Sequence, residues 1–157
     1  MRKPRGLSLI ELVIVLAVLG VLLALGTGYL RSDRLAVNQA AQSLAAQVTR
    51  ARIEAIRRNT FVGIQFSTQG AGGYLLFEDA NRDSLYDSGE PVIQRVVFGQ
   101  GDWTRVRLSA IEGPATLVFD PRGIPQGFAE ARVSLSNRTG TYSQEISISP
   151  QGRASLP

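Results

Sequence analysis

The sequence predicts an α+β protein in which one long N-terminal helix, membrane-spanning in its first half, packs on an antiparallel β domain. Three patterns indicate this: an apolar run starts at residue 7, helical spacing follows it, and short alternating segments fill the remainder. With 157 residues, the chain has room for one modest β domain besides the helix. We therefore divide it into a leader at 1–6, helix halves at 7–30 and 31–59, and a β domain at 60–157.

Composition removes most catalytic chemistry from consideration. The chain has no cysteine and no histidine, so it lacks thiolate metal ligands and the imidazole of a Ser-His-Asp triad. We expect no enzymatic activity and no cofactor other than the Ca²⁺ ion considered below. Three of the 17 basic residues lie in the leader, and removing them leaves 14 basic against 13 acidic side chains. The rest of the chain is therefore close to neutral.

The first 30 residues resemble a short basic leader followed by a membrane anchor. From Leu7 to Leu25 every residue is apolar or small except Ser8 and Glu11. A helix over residues 7–30 rises about 36 Å, which is enough for a hydrocarbon core of about 30 Å. Basic residues ahead of the run favour a cytoplasmic N-terminus with the remainder of the chain exported.

Glu11 is the one carboxylate inside the apolar run. A carboxylate within a membrane span costs roughly 2.5–3.5 kcal/mol on insertion scales and usually has a partner. Cleavage after Gly6 would create such a partner, because the new amino group at Leu7 is mostly cationic at neutral pH. Axially staggered subunits would bring this amine to the Glu11 of a neighbour.

The segment from Gly6 to Leu12, GLSLIEL, resembles the class III signal of type IV prepilins and type II secretion pseudopilins. The resemblance implies that a prepilin peptidase cuts after Gly6 and N-methylates Leu7, and that Glu11 assists assembly. It also implies a single-pass inner-membrane protein that later enters a filament. An ordinary signal peptide cut near residues 24–26, or a plain membrane anchor, is the alternative, and Glu11 argues against both.

The remaining chain reads as a second helix half followed by strands. Apolar residues recur at three- and four-residue steps between Val37 and Ala55, and the helix is expected to end near Asn59. Glycine-rich and proline-rich breaks then separate seven apolar or alternating segments. The predicted strands are 61–66, 74–77, 92–98, 105–108, 116–119, 132–135 and 145–148.

Three later segments resemble the GspH/FimT family of minor pilins and pseudopilins. These segments are ARIEAIRRN at 51–59, VFDPRG at 118–123 and PQGR at 150–153. The resemblance implies a pilin-like fold with two packed sheets, and a low-abundance subunit at or near a filament tip that primes assembly with other pilins. It does not separate a type IV pilus from a type II secretion pseudopilus.

An acidic segment between two predicted strands has the spacing of a calcium loop. Candidate ligands occupy positions 1, 3, 5, 7, 9 and 12 of a twelve-residue window, as in an EF-hand. They are Asp79, Asn81, Asp83, Leu85, Asp87 and Glu90. Position 6, which is usually glycine, is Ser84, so this loop departs from the EF-hand pattern at its sharp turn. The alternative is a polar hairpin loop whose side chains cap its own turns.

A binding role at the filament tip is the alternative to a purely structural one. Some GspH/FimT members end in a basic Gly-Arg tail linked to DNA capture, and this chain matches it only at Gly152-Arg153. The other candidate DNA contacts are Arg105, Arg107 and Arg138. A mature chain that is close to neutral would have little electrostatic attraction to the phosphates of DNA. The other candidate cargo is a secreted protein.

Overall fold

The structure is a computed structural model that describes the backbone at residues 9–29 and 33–157 and the side chains at 9–23 and 33–157. The chain divides into two units, Met1–Ser32 and Asp33–Pro157. The first contains helix α1, Leu9–Tyr29, and the second contains helix α2, Asp33–Arg58, followed by the strands. The architecture confirms the predicted α+β class. The predicted continuation of one helix through residues 30–32 lies outside the described residues.

Helix α1 presents an apolar surface that the described chain does not cover. Its described side chains, residues 9–23, are all exposed, and the large apolar ones among them are 49–81% exposed. No helix within residues 9–29 and 33–157 meets both the length and the apolarity that crossing a membrane requires. The expected anchor at 7–30 includes residues 7, 8 and 30, outside the described residues, and it stays a prediction.

Helix α2 buries the face that its spacing predicted. Seven side chains along it are buried: Val37, Ala40, Ala41, Leu44, Val48, Ala51 and Ala55. The helix ends where expected, because Asn59 adopts a left-handed φ of 54°. The Asn59 amide donates to the Ile56 carbonyl and the Thr60 amide to the Ala55 carbonyl, the two bonds of a Schellman C-cap.

The strands form two four-stranded antiparallel sheets, as the family resemblance implied. Sheet A has the order β3-β2-β1-β5 and sheet B the order β4-β6-β7-β8. The strands are β1 Val62–Ser67, β2 Gly73–Glu78, β3 Val92–Val97, β4 Val106–Glu112, β5 Thr116–Phe119, β6 Ala131–Asn137, β7 Ser143–Ile148 and β8 Ala154–Ser155.

Two details of the strands differ from the sequence prediction. Strand β4 runs on to Glu112, past a register shift between Leu108 and Ala110 that interrupts its alternation. Strand β8 has only two residues, which pair with β7 as Ser147↔Ser155 and Ile148↔Ala154. A two-residue strand is too short to show a periodic pattern, so it is defined only by its partner.

The main core lies between α2 and the inner faces of the two sheets. Helix α2 contacts β1 and β5 of sheet A and all four strands of sheet B. Leu44, Ile64, Phe119, Leu135 and Ile146 are fully buried in this core. All of its buried residues lie within Asp33–Pro157, so this unit carries a hydrophobic core of its own.

A smaller apolar layer covers the outer face of sheet A. Phe77 is fully buried although it lies outside the main core, and the Tyr86 ring meets it edge-on at a centroid distance of 5.4 Å. Gly63 pairs with Phe77 across the strands, and a Cβ at Gly63 would lie 2.5 Å from the Phe77 ring. The Phe77 ring can therefore pack against Gly63 only because glycine has no Cβ atom.

Gly63→Ala is expected to destabilise the β domain by about 1–3 kcal/mol, because the new methyl group forces the Phe77 ring from its position. For a domain of this size the melting temperature should fall by several degrees. Gly89→Ala is the matched control, since a Cβ there meets nothing within 4 Å and its backbone φ is not positive. Thermal melts of residues 33–157 would test the pair. Equal melting temperatures would reject the close approach of Gly63 and Phe77.

Candidate functional site

The acidic segment forms a loop, residues 79–90, between β2 and β3, at the end of the β domain where α2 terminates. The Arg58 guanidinium, in the last turn of α2, lies 3.8 Å from the Glu78 carboxylate. The Arg82 guanidinium lies 4.9 Å from the centre of the Phe61 ring. Strand β1, which starts at Val62, pairs with Glu78. These contacts fix the start of the loop against the C-terminal end of α2.

Asp79 organises the first half of the loop. Its carboxylate is buried, and it accepts hydrogen bonds from the backbone amides of Arg82 at 2.7 Å and Ser84 at 3.1 Å. Burial raises the pKa of Asp79, the two amide bonds oppose that rise, and the charges of Glu90 and Asp83 add to it. The fold therefore holds a carboxylate in a place where its negative charge is disfavoured.

Ser84 supplies the sharp turn that an EF-hand loop usually takes from glycine. Its φ is +64°, and Arg82 has the same value. L-residues other than Asn and Asp rarely adopt this left-handed conformation, which costs roughly 1–2 kcal/mol. The hydrogen bonds from both amides to Asp79 hold the strained turn in place. Serine in place of glycine at this position is therefore compatible with a sharp turn.

The second half of the loop brings its remaining oxygens toward one another. The Asn81 amide nitrogen donates to the carboxylates of Asp83 and Asp87, each at 2.9 Å. The two Glu90 carboxylate oxygens accept from the backbone amides of Ala80 at 2.8 Å and Asp87 at 3.1 Å. Among the described residues, however, no three Asp, Glu, His or Cys side chains are grouped as a metal site.

A second candidate surface lies at the opposite end of sheet A, where Arg107 and Arg138 line one cavity of about 250 Å³. Arg107 belongs to β4, and Arg138 follows β6. Its other lining residues are Gly70, Ala71, Gly99 and Val106. Asn137, which is buried, positions the turn that carries Arg138, because its side chain bonds Thr139, Thr141 and the Tyr142 amide.

The other two arginines predicted to contact DNA lie elsewhere. The Arg105 guanidinium, just before β4, binds Asp33 at the start of α2 at 3.3 Å. Arg153 lies next to Ser149, and its amide donates to the Ser149 hydroxyl at 3.3 Å. This is the end of sheet B opposite to Arg138, because the β6–β7 ladder runs from Ser136↔Ser143 to Ala131↔Ile148. The structure thus separates Arg153 from the cavity.

The predicted processing site lies at the N-terminus. Gly6 and Leu7 are outside the described residues. Glu11 is in the first turn of α1, and its side chain is exposed. The candidate assembly carboxylate thus lies on the same uncovered surface as the apolar side chains of α1.

The segments that carry the family resemblance build one corner of the β domain. Burial would raise the pKa of Asp120, but hydrogen bonds from the Ile124 amide and from the Arg122 amide and guanidinium outweigh it and hold the pKa low. A Cβ at Gly152 would lie 2.5 Å from the Phe119 ring. These residues therefore have a structural role that their sequence spacing did not reveal, since the contact joins segments distant in the chain.

Residues 40–152 match the family described as Type II transport protein GspH, and residues 1–27 match the prokaryotic N-terminal methylation motif. The sequence is 54% identical over 156 residues to the pilin-like protein PilA1 of Thermus thermophilus, with 97% of each chain covered. The type IV minor pilin FimU of Pseudomonas aeruginosa PAO1 matches at 20% identity and a TM-score of 0.53, over 76% of this chain and 91% of its own. The minor pseudopilin EpsH of the Vibrio cholerae type 2 secretion system matches at 15% identity and a TM-score of 0.53, and the match covers 77% of this chain and 95% of EpsH. The two structural matches show a shared fold.

Substitutions at Ser84 are expected to report its left-handed backbone. Ser84→Val should destabilise residues 33–157 by about 1–2 kcal/mol, since a β-branched side chain is strongly disfavoured there. Ser84→Gly should leave stability unchanged or slightly raised, because glycine adopts this φ without a Cβ clash. Chemical denaturation of both variants measures the difference. Valine and glycine variants of equal stability would exclude the left-handed turn.

Proposed function

Given that this chain belongs to the GspH family, as a type IV pilin-like minor pilin or pseudopilin, we propose that prepilin peptidase processes it and that it then primes a filament at or near the tip. The proposal covers a type IV pilus and a type II secretion pseudopilus alike. Its partners would be the peptidase, other pilins or pseudopilins, and the inner membrane. The role is structural and needs no active site.

The observation that carries this proposal is the N-terminal methylation motif. The matched segment, residues 1–27, contains the basic leader, Gly6, Leu7 and Glu11 in the order that such processing requires. Cleavage between Gly6 and Leu7 would leave an N-methylated Leu7 as the first residue. Its positive charge is a suitable partner for the Glu11 of a neighbouring subunit.

The surface of α1 supports assembly through this helix. A continuous row of exposed apolar side chains normally marks a membrane or protein contact in a folded chain. Before assembly, lipid would cover α1, with the N-terminus in the cytoplasm and the β domain exported. In the filament, helices of neighbouring subunits would replace the lipid.

Capture of DNA or of a secreted protein is the alternative role at a tip. DNA affinity depends on several cations that contact phosphates together. Arg153 lies at the other end of sheet B from Arg138, and Arg105 has Asp33 as a partner. This distribution favours the structural role over a single arginine track along DNA.

We also propose that the loop at 79–90 binds Ca²⁺ through Asp79, Asn81, Asp83, Leu85, Asp87 and Glu90. The Asn81 nitrogen lies between the carboxylates of Asp83 and Asp87, where a donor or a cation satisfies both. A 180° turn of the amide would present its oxygen instead. Because the fold raises the pKa of Asp79, ionisation of this carboxyl group destabilises the folded chain as the pH rises through that pKa. A bound cation would offset this loss of stability.

The processing proposal is tested by N-terminal mass spectrometry of the full-length chain, extracted from membranes of cells that contain its prepilin peptidase. We expect a mature chain that starts at N-methylated Leu7. A terminus near Thr27 would indicate an ordinary signal peptide, and an intact Met1 would indicate a plain anchor.

In the same cells, Glu11→Ala should be processed normally but should enter filaments poorly, because the carboxylate that would pair with the Leu7 amine of a neighbouring subunit is lost. Glu11→Asp is the matched control that keeps the charge. Normal incorporation of Glu11→Ala would reject an assembly role for this residue.

Calcium should raise the melting temperature of residues 33–157. At a calcium concentration ten times the dissociation constant, binding adds about 1.4 kcal/mol, or roughly 3–5 °C for a domain of this size. Asp83→Ala should abolish the shift, whereas Asp102→Ala, which removes an acid outside the loop, should leave it unchanged. The absence of any shift at millimolar calcium would exclude a calcium site.

A further inference from the structure

The cavity at Arg107 and Arg138 contains two guanidinium groups without a partner. Both side chains are exposed, and within residues 9–29 and 33–157 neither makes a hydrogen bond or an ion pair. The other residues that line the cavity are uncharged: Gly70, Ala71, Gly99 and Val106. Guanidinium groups bind the oxygens of phosphate in a bidentate manner, so two of them on one concave surface are suited to a phosphate group.

The cavity lies at the end of the β domain where α2 begins. The turn after β6 that carries Arg138 also carries Tyr142, whose hydroxyl donates to the Asn38 side chain at 2.8 Å. Just before β4, the Arg105 guanidinium binds Asp33, the first residue of α2. The first turns of α2 therefore lie beside both of the segments that supply the arginines of the cavity.

The charged side chains at this end have both signs, with an excess of positive charge. Arg34 lies over the Tyr142 ring, and Arg105 is paired with Asp33. Asp102 is exposed in the short turn at Gly101–Trp103, but it does not line the cavity. Four arginines against two aspartates give this end a formal charge of +2. The two arginines of the cavity therefore remain available to an anion from outside the described chain.

The covalent chain keeps this end of the β domain close to the membrane if residues 7–30 form the proposed anchor. Only Arg31 and Ser32 separate that anchor from Asp33, where α2 starts. Three residue steps extend at most about 11 Å. The start of α2 therefore stays within reach of the lipid headgroups on the exported side, whatever the direction of the chain between them.

We propose that the cavity at Arg107 and Arg138 binds the phosphate of an anionic phospholipid on the exported face of the inner membrane. This inference rests on the proposed function, because it requires the anchor, and it names the lipid class that the β domain contacts before the subunit enters a filament. Anionic headgroups attract arginines that are held near a membrane surface. Tethering raises the local concentration of lipid phosphate, so a weak site is sufficient.

Trp103 provides a spectroscopic reporter for this contact, since the chain contains no other tryptophan. Its carbonyl accepts a hydrogen bond from the amide of the cavity-lining Gly99 at 3.0 Å. The full-length chain is placed in lipid nanodiscs, one copy per disc, with EDTA present. The discs contain a small fraction of phosphatidylcholine with a spin-labelled headgroup, which quenches tryptophan fluorescence. Discs of phosphatidylcholine alone are compared with discs that also contain phosphatidylglycerol.

We expect phosphatidylglycerol to increase the quenching of Trp103. Each arginine near an anionic surface should raise the ratio of bound to free β domain about fivefold, and the pair should raise it about twenty-five-fold. Arg107→Gln combined with Arg138→Gln should return the quenching to the level of phosphatidylcholine alone. Asp102→Asn should increase the quenching, because anionic lipid repels this exposed carboxylate. Salt at about 1 M should remove most of the lipid dependence, since it shortens the Debye length to about 3 Å.

The matched control combines Arg57→Gln with Arg153→Gln. Both residues are exposed; Arg57 is in the last turn of α2, and Arg153 is at the end of sheet B opposite to Arg138. This control removes the same charge from the other end of the β domain and should leave the lipid-dependent quenching unchanged. Equal quenching in the two double variants would overturn the proposed lipid site, and so would quenching that does not depend on phosphatidylglycerol.

Other ligands of the cavity give different results. Inorganic phosphate that raises the melting temperature of residues 33–157 through Arg107 and Arg138, without lipid-dependent quenching, would assign the cavity to a soluble anion. A DNA duplex that binds through the same two arginines, again without lipid-dependent quenching, would assign it to DNA. Co-elution of the chain with the discs separates this inference from the proposed function. A chain that leaves the discs rejects the anchor, whereas an anchored chain with lipid-independent quenching rejects the lipid site alone.

Discussion

Burial of one face of α2 against both sheets is the constraint on which the β domain depends. Four of the seven buried residues of α2 are alanines, and small side chains let a helix approach two sheet surfaces closely. Leu44 and Val48 fill the space between them with larger groups. Because α2 contacts strands of both sheets, the helix is the element that holds the sheets in one core.

The same packing gives the β domain two chemically different ends. The start of α2 lies by Arg105, and its end lies by Glu78, so the helix direction defines an axis. The first end carries the cavity lined by Arg107 and Arg138, together with Asp33. The second end carries the acidic loop at 79–90, together with Arg57 and Arg58 in the last turn of α2. Each end therefore presents charges of both signs, in a different arrangement.

The acidic loop shows how the outer layer of the fold stores strain. Tyr86 covers Phe77 and anchors the loop on sheet A, while Ser84 and Arg82 hold left-handed conformations that cost energy. Asp79 offsets part of this cost by accepting hydrogen bonds from the backbone amides of Arg82 and Ser84. Burial of the Asp79 carboxylate, however, raises its pKa and disfavours its negative charge. A loop in this state would gain stability from a bound cation, which is the partner proposed for it.

The sequence by itself determined the α+β class, the buried face of α2, its end near Asn59, and seven strands to within a few residues, because these depend on local periodicity and turn residues. It also determined the spacing of the acidic loop and the order of the processing motif. Only the tertiary structure decided which arginines meet. Arg107 and Arg138 are 31 positions apart and share a cavity, whereas Arg105, two residues from Arg107, binds Asp33 instead. Strand order and register set such distances, and neither is a local property of the chain.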